Sequence, residues 1–156
     1  MRVSVIGGGR ITDEQDTRAE AVGRELGERG HTVVCGGLRG TMEAVCRGAK
    51  TVGGETIGIL PTADRDDANP FVDIAIATGM GHARNAMVPL NGDGVLALAG
   101  GPGTLSEIGF ALVYDRPVIR LESQTIAGLE GDDVPGVECV ETPAEAVETL
   151  EAAVSR

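Results

Sequence analysis

Short apolar runs alternate along this chain with segments of helical periodicity, and no other feature of the sequence constrains the fold as strongly. The runs at 3–6 and 95–98 are apolar at nearly every position, which is typical of strands covered on both faces. The alternation predicts an α/β fold of three layers, with helices on both sides of a largely parallel sheet. The expected strands, about seven in number, are residues 2–6, 32–35, 56–60, 72–77, 94–99, 117–121 and 137–140. No repeat or linker interrupts the pattern, so residues 1–156 are expected to form one domain.

The first two expected helices are marked by their ends and by one apolar face. Thr12 and Gln15 fit a capping box at the start of the first helix, and Gly30 ends it. On the outer face of the second helix, Glu43 and Arg47 have the spacing of an i,i+4 ion pair. The residues expected to face the sheet are Ala19, Val22 and Leu26 in the first helix and Met42, Val45, Cys46 and Ala49 in the second.

Three more helices are expected further along the chain. One covers about 82–91 and contains Pro89, which should kink or end it. The last is an acidic surface helix over 143–154. The helix between them should turn Leu105, Ile108 and Leu112 toward the sheet.

The balance of acidic and basic side chains limits the kinds of molecule that the protein is expected to bind. The 156 residues include 24 acidic and 13 basic side chains, which gives a net charge of -11, and Lys50 is the only lysine. Binding to nucleic acid or to an anionic membrane takes clustered Lys and Arg, so neither partner is expected. The acidic, lysine-poor composition resembles that of haloarchaeal proteins, in which salt screens the repulsion between carboxylates. An ordinary acidic cytoplasmic protein is the alternative.

Cysteine usage and the apolar runs bear on compartment and metal binding. Cys35, Cys46 and Cys139 have no CxxC spacing, so neither a disulfide framework nor a metal site is expected. No apolar run approaches the roughly 18 residues that a membrane span needs. Met1 leads directly into an apolar strand with no signal-peptide pattern, which favours the cytoplasm.

Ligands in parallel sheets bind beyond the carboxyl ends of the strands, where this chain has three glycine-rich loops. The first loop, residues 7–10, follows the first strand, but Thr12 stands where a dinucleotide fingerprint has its third glycine. The second strand ends in Cys35-Gly36-Gly37 rather than in an acidic residue for a ribose. We therefore expect neither an NAD-dependent dehydrogenase nor, in the absence of GxxxxGK[ST], a P-loop NTPase.

The other two loops share one physical property. Residues 36–41 and 100–104 each place glycines and a threonine at the start of a helix, where bare amides and the helix dipole attract an anion. A phosphate group is the expected ligand. The alternative is that these glycines only make tight turns and allow close packing of helix on sheet.

Three segments carry a resemblance to a known family. Residues 100–107, GGPGTLSE, resemble the PGGxGTxxE signature of the Lonely Guy family, long mislabelled as lysine decarboxylases. Residues 36–42 are similar to its GGGxxGxM motif and residues 80–87 to its MxxxRKxxM motif. The chain looks closest to a short prokaryotic branch of nucleotide-binding proteins with the GGPGTLSE motif. It departs from the family pattern at Leu38, Asn85, Ala99 and Pro102.

The resemblance implies a Rossmann-like fold, a homodimer or higher homo-oligomer, and hydrolysis of a nucleoside 5'-monophosphate to free base and ribose 5-phosphate without a required cofactor. It also implies Arg84 and Glu107 as the catalytic pair. A carboxylate can stabilise the cation that develops on the ribose, and an arginine can hold phosphate or hydroxyls in a forked geometry. The alternative function is binding without turnover, by a molybdenum-cofactor (pterin) carrier or a nucleotide sensor.

The candidate ligand-binding residues come from the glycine loops. They are Gly7, Gly8, Gly36, Gly37, Arg39, Gly40, Thr41, Gly100, Gly101, Gly103 and Thr104. Plainer interpretations stay open for several positions. Thr104 and Glu107 have the spacing of a capping box, Arg84 and His82 can be solvated polar residues, and 62–70 can be either a lid or a solvated connection.

Overall fold

A computed structural model describes residues 1–121, 126 and 134–156 of the chain, and it confirms the three-layer α/β architecture. The strands are β1 Arg2–Ile6, β2 Thr32–Cys35, β3 Thr56–Leu60, β4 Ile74–Ala77, β5 Gly94–Ala97, β6 Val118–Leu121 and β7 Val137–Val140. The α-helices are α1 Asp13–Glu28, α2 Thr41–Thr51, α3 Met87–Leu90, α4 Pro102–Val113 and α5 Pro143–Val154. Two 3-10 helices cover Arg65–Asp67 and Gly81–Ala86. The seven strands pair in parallel in the order β4-β3-β2-β1-β5-β6-β7.

Both faces of the central strands are buried, as the continuous apolar runs predict, whereas Ile74 and Ile76 on the edge strand β4 are each 46% exposed. Leu96 and Leu98 pack with α1, α2 and α5 on one face, whereas Val95 and Ala97 pack with α3 and α4 on the other. This division follows from the two-residue period of a strand, which turns successive side chains to opposite faces.

The position of β1 in the sheet decides where a ligand can bind. β1 lies between β2 and β5, so the chain winds outward from it in both directions. The loops after these three strands therefore leave toward opposite faces and open a crevice at the carboxyl ends of the strands. All three glycine-rich loops are at this edge.

Glycines allow α1 and α2 to pack against each other very closely. A Cβ atom on Gly23 would collide with the Val45 carbonyl oxygen, and one on Gly48 with the carbonyl oxygen of Glu20.

The predicted capping box is confirmed, because Thr12 Oγ1 accepts from the Gln15 amide at 3.2 Å and the Gln15 side chain accepts from the Thr12 amide at 2.9 Å.

The predicted ion pair between Glu43 and Arg47 is wrong. Arg47 instead crosses to α1, where its guanidinium contacts Asp16 and donates from Nε to Glu20 at 2.9 Å. The close approach of the two helices brings these carboxylates nearer than an intrahelical partner, so tertiary packing replaces the local pair.

Two further local predictions need correction. The segment 82–91 is a 3-10 helix followed by a single α-helical turn, with Pro89 in that turn. On α4, Ile108 is buried against the sheet and Leu112 packs partly buried against the same cluster, as predicted, but Leu105 packs against neither core cluster. The buried side chains of α4 are Thr104, Glu107, Ile108 and Ala111.

No helix in the described ranges is long and apolar enough to span a membrane.

Candidate functional site

Backbone hydrogen bonds tie the three glycine loops together at the end of β1. The Gly8 amide donates to the Ala99 carbonyl at 2.7 Å, and the Gly8 carbonyl accepts from the Thr41 amide at 3.0 Å. Gly40, at φ +68°, lies against the backbone of Gly8 and Gly9 with no room for a side chain. The loops therefore form one connected surface rather than three separate turns.

Both predicted threonines pack inward instead of facing a ligand. Thr41 lies against Gly7 and Thr104 against Gly100, and each is at most 3% exposed. The amide of Thr41 is also taken by the Gly8 carbonyl. One of the anion-attracting amides expected at the start of α2, that of Thr41, is therefore engaged within the fold.

The start of α4 differs from the start of α2. Gly101 is its N-cap without any side-chain cap, Pro102 has no N–H, and Leu105 makes the first bond back to the Gly101 carbonyl. The amides of Gly103 and Thr104 precede that bond, where a helix leaves its donors without intrahelical partners. Glu107 lies one turn further on, so the capping-box interpretation of Thr104 and Glu107 is wrong.

A cavity of about 190 Å³ opens where the loops meet α4 and the 3-10 helix Gly81–Ala86. Its lining residues are Val5, Ile6, Gly7, Gly9, Gly36, Met42, His82, Arg84, Asn85, Gly103 and Glu107. The two predicted catalytic side chains lie together in its wall, with Nη1 of Arg84 3.9 Å from Oε1 of Glu107. Each of the two residues is only 7% exposed. A solvated role for Arg84 is therefore wrong.

Burial controls the ionisation of this pair. It raises the pKa of the Glu107 carboxyl to about 7, against the opposing effect of the Arg84 guanidinium, and it lowers the pKa of Arg84. The Nε atom of Arg84 has no hydrogen-bond partner within the described part of the chain. A buried donor of this kind is costly unless something binds it. The cavity thus offers a cationic donor and a carboxyl that exchanges its proton near neutral pH.

Gly36 fixes the position of the arginine. A Cβ atom on Gly36 would lie 2.6 Å from Nη1 of Arg84 and 2.6 Å from the sulfur of Met42. No side chain fits there, so the guanidinium packs directly against the backbone after β2. This is the close approach that explains the glycine at the end of that strand.

A second cavity of about 330 Å³ adjoins the first, and Gly9 lines both. Its walls are mostly backbone, with one cationic side chain, Arg10. The other lining residues are Gly8, Gln15, Ala99, Gly100 and Gly101. A polar, backbone-lined pocket beside an arginine suits an anion.

The predicted ligand-binding residues thus divide into two groups. Gly7, Gly36 and Gly103 line the Arg84 cavity, and Gly8, Gly100 and Gly101 line the adjoining one. The structure brings Gly37, Arg39, Gly40, Thr41 and Thr104 into neither cavity wall. Arg39 is exposed, whereas Gly37, at φ +78°, packs against Gly58 and Leu60.

The segment 62–70 supports a loop instead of covering a cavity. Asn69 is 7% exposed, and its side-chain amide donates to the Leu38 carbonyl at 2.8 Å. Its backbone amide donates to the Gly37 carbonyl at 2.9 Å. The segment lines neither cavity described here, so its lid interpretation gains no support.

Sequence reasoning missed several residues that line the site. Arg10, Met42 and Asn85 contribute side chains to the cavity walls. Arg10 directly follows the first glycine run, and its position was the one signal that could have marked it.

In the described part of the chain, no group of three or more His, Cys, Asp or Glu side chains is arranged to hold a metal ion.

Comparison with known proteins places this geometry in context. The model of the SLOG cluster4 family matches residues 1–147. An uncharacterised protein of Archaeoglobus fulgidus is 41% identical over 94% of this chain and 92% of its own length. A cytokinin riboside 5'-monophosphate phosphoribohydrolase of Mycobacterium tuberculosis is 31% identical over 67% of this chain, which spans only 60% of that enzyme. The structure of a molybdenum cofactor binding protein from Rippkaea orientalis superposes with a TM-score of 0.87 at 32% identity, covering 98% of this chain and 96% of that one.

Proposed function

The chain belongs to the SLOG cluster4 family, and from that premise we propose that it binds a phosphate-bearing nucleotide and hydrolyses its N-glycosidic bond. One observation carries the proposal. Arg84 and Glu107 are buried side by side in a cavity that is lined in part by the glycine loops, at Gly7, Gly36 and Gly103. A cation and a proton-exchanging carboxyl in such a cleft are suited to hold an anionic ligand and to act on it.

The two adjoining cavities divide the ligand between them. The phosphate lies in the backbone-lined cavity beside Arg10, near the open start of α4. The ribose reaches the smaller cavity, where Arg84 donates to its oxygens and Glu107 faces its anomeric carbon.

Hydrolysis then requires one change of bonding at that carbon. The bond to the base breaks with its electron pair leaving on the base nitrogen, and a water oxygen forms the new bond. Ionised Glu107 stabilises the positive charge that builds on the ribose and accepts a proton from the attacking water, while the leaving base nitrogen takes a proton from solvent. Glu107 then returns its proton to solvent, so the net change is the addition of one water across the bond. The products are the free base and ribose 5-phosphate.

Release of free base from AMP, GMP, CMP and UMP, followed by chromatography, tests this activity. Glu107→Gln keeps the size of the side chain and should lower base release by on the order of 100-fold or more, because charge stabilisation is lost in the transition state. Glu14→Gln on α1, whose side chain is 82% exposed, is the matched control and should match the parent. Equal turnover in Glu107→Gln and the parent would overturn the role of Glu107.

Binding without turnover is the second candidate function, with a phosphorylated pterin as the cargo. It is favoured by the coverage of the comparisons, since the likeness to the molybdenum cofactor binding protein takes in 96% of that chain but only 60% of the phosphoribohydrolase is matched. Mass spectrometry of small molecules that co-purify with the protein separates the two. A bound pterin, with no base released from any monophosphate, would favour the carrier.

A further inference from the structure

Asn85 lies directly beside Arg84 in the cavity wall and is 9% exposed. Its Oδ1 atom is 3.4 Å from Nη1 of Arg84, and its Nδ2 atom is 3.2 Å from the hydroxyl of Ser106. The Ser106 hydroxyl lies 2.6 Å from the Gly103 carbonyl oxygen. Three hydrogen bonds therefore join the arginine of the 3-10 helix to the first turn of α4.

Chemistry fixes which group donates and which accepts in each of these three hydrogen bonds. Ser106 has one hydroxyl hydrogen, which it donates to the Gly103 carbonyl, so it can only accept from Asn85. Asn85 must therefore turn its NH₂ group toward Ser106 and its carbonyl oxygen toward Arg84, which is a pure donor. The carboxamide of Asn85 supplies the donor on one side and the acceptor on the other. Aspartate has no donor for Ser106, and lysine has no acceptor for Arg84.

The same guanidinium nitrogen faces two partners. Nη1 of Arg84 is shared between Asn85 at 3.4 Å and Glu107 at 3.9 Å. Contact with Asn85 thus restrains Arg84 on the side of α4, while Nε has no hydrogen-bond partner among the described residues. The Nδ2 atom of Asn85 also lies 3.7 Å from where a Cβ on Gly103 would be, so the carboxamide borders the space above that glycine.

We propose that Asn85 is the positioning residue of the site. Together with Ser106, it holds the Arg84 guanidinium at a fixed position relative to the glycine-rich start of α4. The proposal rests on the proposed binding of a phosphate-bearing ligand and extends it. Because Asn85 links Arg84 to the start of α4, it determines whether one ligand can contact the guanidinium and the α4 amides at the same time.

The experiment compares Ser106→Ala, Asn85→Ala and the double variant. Two quantities are measured: AMP affinity by calorimetry, and the titration of the Glu107 carboxyl by NMR of ¹³C-labelled glutamate. Each single variant should weaken AMP binding by on the order of 10-fold, the usual size of one lost buried hydrogen bond. Each should also move the pKa of Glu107 further upward, because Arg84 is no longer held beside it. The double variant should be no weaker than the worse single one, since both changes break the same link.

Two controls separate positioning from general damage. Ser106→Thr keeps the hydroxyl and should retain the affinity of the parent. Ser155→Ala removes a serine that likewise donates to a carbonyl of its own helix, Glu151 at 2.8 Å, but far from the cavity, and it should change neither readout.

The proposal is overturned if Ser106→Ala leaves both the AMP affinity and the Glu107 titration at the values of the parent, or if the two single effects simply add. A parent protein that binds no monophosphate would instead defeat the proposed function. In that case the Glu107 titration, which needs no ligand, still decides whether Asn85 positions Arg84.

Discussion

At the scale of single residues, the site depends on how far burial outweighs charge pairing. Glu107 lies 3.9 Å from a guanidinium, yet its pKa is raised to about 7. Removal from water disfavours the carboxylate more than one loosely placed cation favours it. The pair is therefore poised for function at a cost in stability.

That cost makes the stability of the fold depend on pH. The folded-state pKa of Glu107, about 7, lies above its usual 4.5, so the folded protein holds this proton more tightly than the unfolded chain. The stabilising contribution of the protonated carboxyl is complete below the unfolded pKa and is lost as pH rises through the folded pKa.

Glu107→Gln cannot ionise, so the difference between this variant and the parent isolates the effect. Between pH 5 and pH 8 the free energy of unfolding should shift in favour of the variant by about 2 kcal/mol, measured by urea denaturation. Glu14→Gln is the control and should show no such shift. A difference between Glu107→Gln and the parent that is the same at both pH values would contradict the raised pKa.

At the scale of elements, periodicity and capping were enough to predict most helices and strands. The capping box at Thr12 and the seven strands follow from local patterns, and the structure confirms them. The alternative in which Thr104 and Glu107 cap α4 does not hold, because Pro102 takes the first position of the helix, which proline favours. The Arg84–Asn85–Ser106 link was not predictable, because it joins residues that only the folded chain brings together.

The packing of α1 on α2 gives a prediction at this scale. Gly48→Ala places a methyl group into the Glu20 carbonyl of the neighbouring helix, which forces the helices apart. We expect the variant to lose about 2 kcal/mol of stability in thermal or urea unfolding, although alanine is the better helix former. Gly109→Ala on α4, where a Cβ meets nothing within 4 Å, is the control and should be neutral or stabilising. Equal effects at both positions would show that Gly48 is not a packing requirement.

At the scale of the whole molecule, 24 acidic side chains face 13 basic ones, which gives the net charge of -11. An excess of carboxylates therefore stays unpaired however the ion pairs form. Pairs such as Arg29–Glu25 at 2.8 Å and Lys50–Asp73 at 2.8 Å are partly exposed and weaken in salt. Repulsion among the excess carboxylates weakens too, because the screening length falls from about 10 Å at 0.1 M salt to about 3 Å at 1 M. We expect the second effect to be larger, so that the melting temperature rises between low and molar KCl. A melting temperature that is unchanged or lower in molar KCl would contradict the halophilic interpretation.

An exposed apolar surface on α3 and α4 bears on assembly. Val113 is 75% exposed, Leu90 44% and Phe110 38%, and Tyr114 stacks on Phe110. We propose that a second copy of the chain covers this surface, in keeping with the homodimer that the family resemblance implies. Val113→Glu should then give a monomer in light scattering, whereas Val52→Glu, at the end of α2, should leave the assembly unchanged. A parent protein that is already monomeric would overturn the proposal.

The central claim is that the cavity at the start of α4 binds a phosphate-bearing ligand, and Gly103→Val tests it most directly. A Cβ on Gly103 meets only Asn85, at 3.7 Å, so the fold accepts the side chain, but the valine projects into the space where the ligand would lie. Calorimetry with AMP should show an affinity at least about 10-fold weaker than that of the parent, while Gly109→Val, on the exposed side of the same helix, retains it. Unchanged AMP affinity in Gly103→Val would contradict the claim.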